Sequence, residues 1–311
     1  MSIENLDKIF QPKSIAVVGA SERDGSVGAA LMRNLIERNF PGDIFPINPK
    51  HNKLWGKSAC PSITDLKTAV DLAIIASPKM SAPQIVKECA AAGVGGAIII
   101  SAGGKEIGEE GKKVEAVIKK EAEVSGLRII GPNCVGIMAS RSKLNASFAN
   151  QMTLTGKMAF ISQSGAICTA ILDLSIKENI GFSYFVSLGD MLDVDFGDMI
   201  DYLGGKSEVS SIVMYVESLT HFRKFMSAAR AVSRVKPIIA LKAAGRVLWQ
   251  RLHTPVPWPG KIRFMRRHLN AQESCGSRPS KSFLIAPNCS PNNPDPADRV
   301  WRLSPTPAAR V

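Results

Sequence analysis

Short apolar runs alternate with amphipathic stretches along most of the chain. Residues Ile15–Val18 form one such run, and runs of this length are typical of strands buried on both faces of a sheet. A turn containing glycine follows, and then a stretch in which apolar residues recur at helical spacing. Further apolar runs occur in "DIFPINP", "LAIIASP", "GAIIISAGG" and "LRIIGPNCVGI", with helical stretches around Pro83–Ala92 and Glu109–Ser125. The alternation predicts an α/β domain, residues 1–140, whose parallel sheet is covered by helices on both faces.

The same pattern restarts at about Leu154. The stretch "GKMAFISQSGAICTAILDLSIKENIG" predicts a strand, a tight turn and a helix, and another helix is expected to begin near Val194. Two further strands are predicted, one in "VSSIVMYVESL" ending in Glu217 and one in "VKPIIALKAAGR" ending at Lys242. We therefore expect a second α/β domain over residues 150–246.

The regular pattern stops after Arg246. Residues 247–311 contain ten of the 19 prolines and three of the four tryptophans, and they contribute +7 of the net charge of +12. A nucleic-acid patch could be drawn around Arg263, Arg266 and Arg267. The other 246 residues carry only +5, so the basic balance belongs mostly to this irregular tail. We expect no nucleic acid as a partner.

Cysteine usage and the N-terminus both favour a cytoplasmic protein without a membrane partner. The cysteines at positions 60, 89, 134, 168, 275 and 289 form no CxxC pair and no dense framework. The N-terminal "MSIENLDKIF" lacks the layout of a signal peptide, and no apolar run is long enough to span a membrane. No metal site is predicted either. The acids at 190, 193, 195, 198 and 201 lack the glycine and terminal glutamate of a calcium loop, and we expect them to cap and solvate a helix.

The turn after the first strand has the features of a phosphate-binding loop. Gly19, Gly25 and Gly28 allow the backbone to approach a ligand, and the helix that follows offers unpaired N–H groups. NAD-binding units usually place an acid at the end of the second strand, where this chain has Asn48-Pro49-Lys50. Because a lysine attracts phosphate, a ligand with phosphate on its ribose fits better than NAD. The alternative is that Lys50 is a solvated surface charge.

Small or polar residues also follow the other strands, in Ser77-Pro78, Ser101-Ala102-Gly103 and "GPNC". Ligands of open α/β sheets bind outside the carboxyl ends of strands, so these residues favour a cleft, although glycine and proline also mark ordinary loops. In the second domain, Ser162, Ser164 and Gly165 lie where a helix begins, which predicts either an anion cradle or a plain helix cap. Glu217 could orient a histidine or be an ordinary helix N-terminal acid.

Six motifs in order resemble the α-type half of NDP-forming acyl-CoA synthetases, relatives of succinyl-CoA synthetase. They are "SIAVVGAS…GSVG", "PINPK", "GPNCVGI", "FISQSGA", "DVDFGDMIDYL" and "YVES", and the resemblance covers residues 3–246. It implies a Rossmann-like CoA-binding domain, then a truncated flavodoxin-like domain of the succinyl-CoA-synthetase type. It also implies an acid–CoA ligase that couples acid, CoA and nucleotide triphosphate through a phosphohistidine. The same two domains occur in regulatory lysine acetyltransferases, which is the alternative function.

The resemblance also implies roles for individual residues. Four residues would hold the CoA phosphates: Gly19, Ala20, Ser21 and Lys50. Four would line the pantetheine path: Ser77, Pro78, Ser101 and Asn133. Ser164 and Gly165 would cradle the histidyl phosphate, and Glu217 would hydrogen-bond the other nitrogen of that histidine. A carboxylic acid would be the substrate, and ATP or ADP with Mg would be bound by an ATP-grasp domain or partner subunit.

The histidine motif of that family is expected just after Arg246, as a run like "AAASHTGALAGED". The chain has "WQRLHTPVPWPGK" instead, with His253 and Thr254 but proline in place of the following glycine. If the reading frame slipped near Arg246–Trp249, each intended codon joins the last base of one visible codon to the first two of the next. From Gln250 through Ile262 that frame permits "AAASHTGAMAGED". We therefore hypothesise that residues from about Val247 are an out-of-frame translation, with His253 a displaced remnant and the encoded chain catalytically incomplete.

Overall fold

A computed structural model describes residues 3–102 and 108–243, together with the backbone of residues 262–266. Its helices are α1 (Leu6–Phe10), α2 (Val27–Glu37), α3 (Ala82–Ala91), α4 (Glu109–Ser125), α5 (Gly165–Lys177), α6 (Phe196–Gly204) and α7 (Phe222–Val232). Its strands are β1 (Ser14–Val18), β2 (Asp43–Ile47), β3 (Lys53–Leu54), β4 (Lys57–Ser58), β5 (Leu72–Ile75), β6 (Gly96–Ile99), β7 (Arg128–Ile130), β8 (Gly136–Ala139), β9 (Leu144–Ser147), β10 (Leu154–Ser162), β11 (Gly181–Ser187), β12 (Ser211–Val216), β13 (Ile238–Lys242) and β14 (Ile262–Arg266).

The first sheet has five parallel strands in the order β2-β1-β5-β6-β7. Its central strands are buried on both faces, as the apolar runs predict. In β1, Ile15 and Val17 belong to the core on one face, and Ala16 and Val18 to the core on the other. The expected parallel sheet between two helical layers is therefore confirmed.

The second sheet has the order β14-β13-β12-β10-β11-β8-β9. Its pairings are parallel from β14 to β11, whereas β8 pairs antiparallel with β11 and with β9. Since β8 begins at Gly136, the change from one sheet to the other precedes the predicted end of the first domain at residue 140. The boundaries 1–140 and 150–246 remain a prediction.

One apolar core joins the two sheets. Phe10 of α1 stacks on Tyr202 of α6 with ring centroids 5.1 Å apart, and its ring meets the edge of Tyr184 at 5.7 Å. The buried Asn34 of α2 donates its amide to the carbonyl oxygens of Ser147, at 2.7 Å, and Ala149, at 2.8 Å. Elements of both sheets therefore share one interior.

A loop of the second half covers the outer edge of the first sheet. The N–H groups of Leu192 and Val194 donate to the carbonyl oxygens of Gly131 and Ile129, at 3.0 and 3.1 Å, so this segment runs antiparallel to β7. Arg128 adds an ion pair to Asp193 at 2.9 Å. The edge strand is thus paired on both sides.

The hypothesis of an out-of-frame tail concerns residues that lie outside the described part of the chain, except for β14. That strand pairs in parallel with β13. Across the helices that the structure describes, none combines the length and the apolar character needed to cross a bilayer.

Candidate functional site

In the glycine turn of the first sheet, the backbone of the loop packs closely against the backbone of α2. Gly19 directly follows β1 and has a φ of +90°, in the left-handed region that favours glycine. A Cβ at Gly28 would overlap the carbonyl oxygen of Gly19, so only glycine lets the first turn of α2 approach the loop so closely. Ser26 caps that helix by accepting the N–H of Ala29 at 3.2 Å. These contacts are what a phosphate-binding turn requires.

Lys50 is placed beside this turn by Asn48. The side-chain amide of Asn48 donates to the carbonyl oxygen of Ala20 at 2.8 Å, while its oxygen accepts the N–H of Lys50 at 2.8 Å. The Lys50 side chain is exposed. The structure therefore brings together the four residues predicted to hold CoA phosphates, and their role stays a prediction.

The four residues predicted to line the pantetheine path form a connected series. A Cβ at Gly19 would lie 3.1 Å from Oγ of Ser77, so the first of them adjoins the glycine turn. Ser101 donates its hydroxyl to the carbonyl oxygen of Ser77, and its own carbonyl accepts the N–H of Asn133 at 3.0 Å. Next to Pro78, the buried Lys79 pairs with Glu115 of α4 at 3.0 Å. The four predicted residues all lie at the carboxyl edge of the first sheet.

The predicted anion cradle lies at the start of α5. Ser164 is the N-cap residue and accepts the N–H of Ile167 at 3.5 Å, while the fully buried Ser162 accepts the N–H of Ser164 at 3.0 Å. The first N–H groups of a helix have no partner inside it, so those of Gly165 and Ala166 are left for a cap or a ligand. The residues fit a small anion, and they also fulfil the alternative role of a helix cap.

Gln163 connects this cradle to Glu217, and sequence analysis assigned it no role. Its side-chain oxygen accepts the N–H groups of Glu217, at 2.7 Å, and Ser218, at 2.9 Å. From the next strand, Lys242 donates to the carbonyl oxygen of Glu217 at 3.0 Å. Burial lowers the pKa of Lys242, and the Glu217 carboxylate opposes that effect. The Glu217 side chain is exposed, and its contact with a histidine stays a prediction.

The "GPNCVG" segment links the two regions. Asn133 contacts Ser101, and two residues later the Val135 side chain lies 3.1 Å from where a Cβ of Gly165 would be. The N–H of Val135 also donates to Oγ of Ser187, at the end of β11, at 3.0 Å. A continuous line of direct contacts between residues therefore connects the glycine turn to the cradle.

The three buried thiols of the described residues are poor nucleophiles. Burial raises the pKa of Cys89, Cys134 and Cys168 to about 12, so they stay protonated at neutral pH. Cys134 instead donates to the carbonyl oxygen of Ile99 at 3.3 Å.

The acidic run has the capping role that its sequence predicts. Asp195 caps α6 by accepting the N–H groups of Gly197 and Asp198, at 2.8 and 3.1 Å, so the helix begins at Phe196, two residues after the predicted start. Within the described ranges, no cluster of histidine, cysteine and acidic residues could hold a metal ion. His253, predicted to take the phosphate, lies outside the described residues.

Two protein families match parts of this chain. Residues 13–140 match the CoA binding domain family, and residues 155–252 match the succinyl-CoA ligase like flavodoxin domain family. The chain is 44% identical over 238 residues to the α subunit of ADP-forming acetate–CoA ligase II of Pyrococcus furiosus, covering 76% of this chain and 52% of the relative. It is 42% identical to ADP-forming acetate–CoA ligase of Methanocaldococcus jannaschii, covering 76% of this chain and 33% of the relative.

A solved structure has the same fold. It is the dinucleotide-forming acetyl-coenzyme A synthetase 1 of Ca. Korarchaeum cryptofilum in complex with phosphate and ADP. The TM-score is 0.75 at 36% identity, over 79% of this chain and 53% of that one. The chain thus spans about half of this structure and of the Pyrococcus furiosus relative, and about a third of the Methanocaldococcus jannaschii relative. These proteins are ligases or synthetases, and they lend no support to the acetyltransferase alternative.

Proposed function

The chain belongs to the family of NDP-forming acyl-CoA synthetases, and from that premise we propose that it is the CoA-binding portion of such an enzyme. The complete reaction converts an acid, CoA and a nucleotide triphosphate to acyl-CoA, nucleotide diphosphate and phosphate. The observation that carries the proposal is the series of contacts that connects the glycine turn, through Ser77, Ser101 and the "GPNCVG" segment, to the cradle at the start of α5.

At one end of this line, the chain would bind the phosphates of CoA. The N–H groups of the turn after Gly19 and the Lys50 ammonium supply donors and positive charge, and Ser77 and Ser101 continue toward the cradle. When bound, CoA would supply the thiol that accepts the acyl group. The absence of an acid beside Lys50 favours a ribose phosphate over free ribose hydroxyls.

At the other end, the start of α5 would hold a phosphoryl group. Free N–H groups and the helix dipole stabilise an anion there. Glu217, with its backbone fixed on both sides by Gln163 and Lys242, would hydrogen-bond the phosphate-carrying histidine and keep it oriented. Nucleotide and Mg would be bound by an ATP-grasp domain or partner subunit.

The proposal is tested by titrating the full chain with CoA in a calorimeter, with NAD as the matched control. We expect saturable binding of CoA and no saturable binding of NAD. Equal binding of both ligands, or no binding of CoA, would contradict the proposal.

We also propose that the residues from about Val247 are out of frame and that the chain as encoded cannot complete the reaction. The match to the flavodoxin-like family ends at residue 252, close to the change in composition, which supports this proposal. Proline at 255, 257 and 259 is incompatible with a helix that would position His253.

Resequencing the DNA around codons 245–250 tests the frame, together with peptide masses of the purified protein. A slipped base at this place is the expected result. An intact frame confirmed by peptide mass, or stable phosphate on His253 after incubation with labelled nucleotide triphosphate and a partner subunit, would refute the proposal.

A further inference from the structure

Two carbonyl groups of the glycine turn are held by side chains from a distant segment. The carbonyl oxygen of Ala20 accepts the amide of Asn48 at 2.8 Å. The next carbonyl, that of Ser21, accepts the indole N–H of Trp55 at 2.7 Å. Trp55 is half-buried, packs against the main core, and lies in the tight turn between β3 and β4.

These contacts fix the direction of two N–H groups. In a trans peptide unit, the carbonyl of one residue and the N–H of the next point in opposite directions. Holding the carbonyls of Ala20 and Ser21 toward Asn48 and Trp55 therefore directs the N–H groups of Ser21 and Glu22 to the opposite side. Within residues 3–102 and 108–243, neither N–H has a hydrogen-bond partner. Successive N–H groups with a common direction form an anion-binding concavity.

The same hairpin also restrains the acid in this turn. The carboxylate of Glu22 accepts the backbone N–H of Trp55 at 2.6 Å. This contact holds the carboxylate on the Trp55 side of the turn. Trp55 thus holds the turn twice, through its indole and through its backbone.

We propose that Asn48 and Trp55 are positioning residues for phosphate binding, which turn two carbonyls away from the ligand and two N–H groups toward it. The proposal rests on the proposed binding of CoA at this turn. Trp55 would then also report occupancy of the site, because the phosphate charge would lie one peptide unit from the carbonyl that accepts its indole N–H.

Substitution of the two side chains tests the positioning role. Trp55→Phe keeps a ring and the backbone contact to Glu22 but removes the indole donor. Asn48→Leu adds no charge and removes both the donor to Ala20 and the acceptor for the Lys50 N–H. We expect each variant to weaken CoA binding by the full chain roughly fivefold to tenfold, the net effect of one typical hydrogen bond. The thermal midpoint of Trp55→Phe should change little.

Fluorescence gives a second test, because the emission of Trp55 would not respond to CoA if this residue had a purely structural role. In the full chain with Trp249, Trp258 and Trp301 replaced by Phe, Trp55 is the sole tryptophan, and its emission should change with CoA at the calorimetric Kd. The Trp55→Phe chain, which keeps the other three, should show no change. The positioning role would be overturned by unaltered Trp55 emission, or by CoA affinity within twofold of wild type in both the Trp55 and the Asn48 variant. Either result would leave the proposed function standing. Failure of the wild-type chain to bind CoA would instead overturn the proposed function with it.

Discussion

Lys50 provides a direct test of ligand identity at a single residue. Lys50→Ala should weaken CoA binding about tenfold or more, because a charge-assisted contact to the 3′-phosphate is lost. Binding of 3′-dephospho-CoA should change less than twofold. The measurement is calorimetric titration of both ligands.

Lys113→Ala, an exposed lysine on α4, is the matched control for Lys50 and should leave both affinities unchanged. Equal weakening of CoA and dephospho-CoA by Lys50→Ala would show that Lys50 does not recognise the 3′-phosphate.

Gln163 should keep the Glu217 backbone protected from solvent. Gln163→Met removes the oxygen that accepts two N–H groups, so the amide hydrogens of Glu217 and Ser218 should exchange faster with deuterium. Gln163→Glu keeps an acceptor and should retain the protection. Identical exchange rates in the two variants would argue against a role for this side chain in holding Glu217.

Sequence patterns identified the residues whose role depends on local backbone, and missed those that act over distance. Gly19 and Ser164 lie where a strand passes into a helix, and a turn or cap has a local signature. Gln163, Asn48 and Trp55 hold backbone groups between 28 and 55 positions away. No periodicity or spacing encodes such contacts, so only the fold reveals them.

At the level of elements, the contact between α2 and the glycine turn depends on Gly28. Gly28→Ala adds a Cβ that overlaps the backbone of Gly19. We expect the free energy of unfolding to fall by about 3 kcal/mol, as measured by urea denaturation, and CoA binding to be lost. Gly205→Ala, where the added Cβ would lie 3.7 Å from its nearest neighbour, is the control and should change stability by less than about 1 kcal/mol.

A normal unfolding free energy for Gly28→Ala would mean that α2 can withdraw from the turn without cost. It would also remove the reason for requiring glycine at this position.

The helices and the parallel strands could be predicted because each has a period or an apolar run of its own. Helix α4 occupies the predicted residues, and β13 ends at the predicted Lys242. The hairpin of β8 and β9 has no such signal for which sheet it joins, since its pairing with β11 is decided by tertiary contacts. The sequence alone therefore does not show that this hairpin belongs to the second sheet.

For the whole molecule, buried charges at the junction of the two halves predict a dependence of stability on pH. Burial would raise the pKa of Asp195, but hydrogen bonds from His221 and the Asp198 backbone, with Lys224 nearby, hold it below its usual value. A depressed folded-state pKa stabilises the protein above the unfolded value, near 3.9, and the contribution is lost as pH falls below it. Burial raises the pKa of the neighbouring Asp198, so the contribution of that carboxyl to the pH dependence of stability has the opposite sign.

Asp195→Asn can still cap α6, so its effect should isolate the charge. We expect an unfolding free energy about 2 kcal/mol below wild type at pH 7, with the difference narrowing below about pH 4. Urea denaturation across this range measures it. Asp201→Asn, on the same helix and in no ion pair among the described residues, is the control. A difference that does not depend on pH would rule out the charge as its cause.

The loop that pairs with β7 has a consequence for the order of synthesis. Strand β7 leaves the ribosome well before Leu192 and Val194, which later occupy its open edge. Until then, the nascent first sheet exposes an unpaired strand that can recruit strands of other chains. Chains released before residue 194 should therefore aggregate more readily and depend more on chaperones than chains that include this loop.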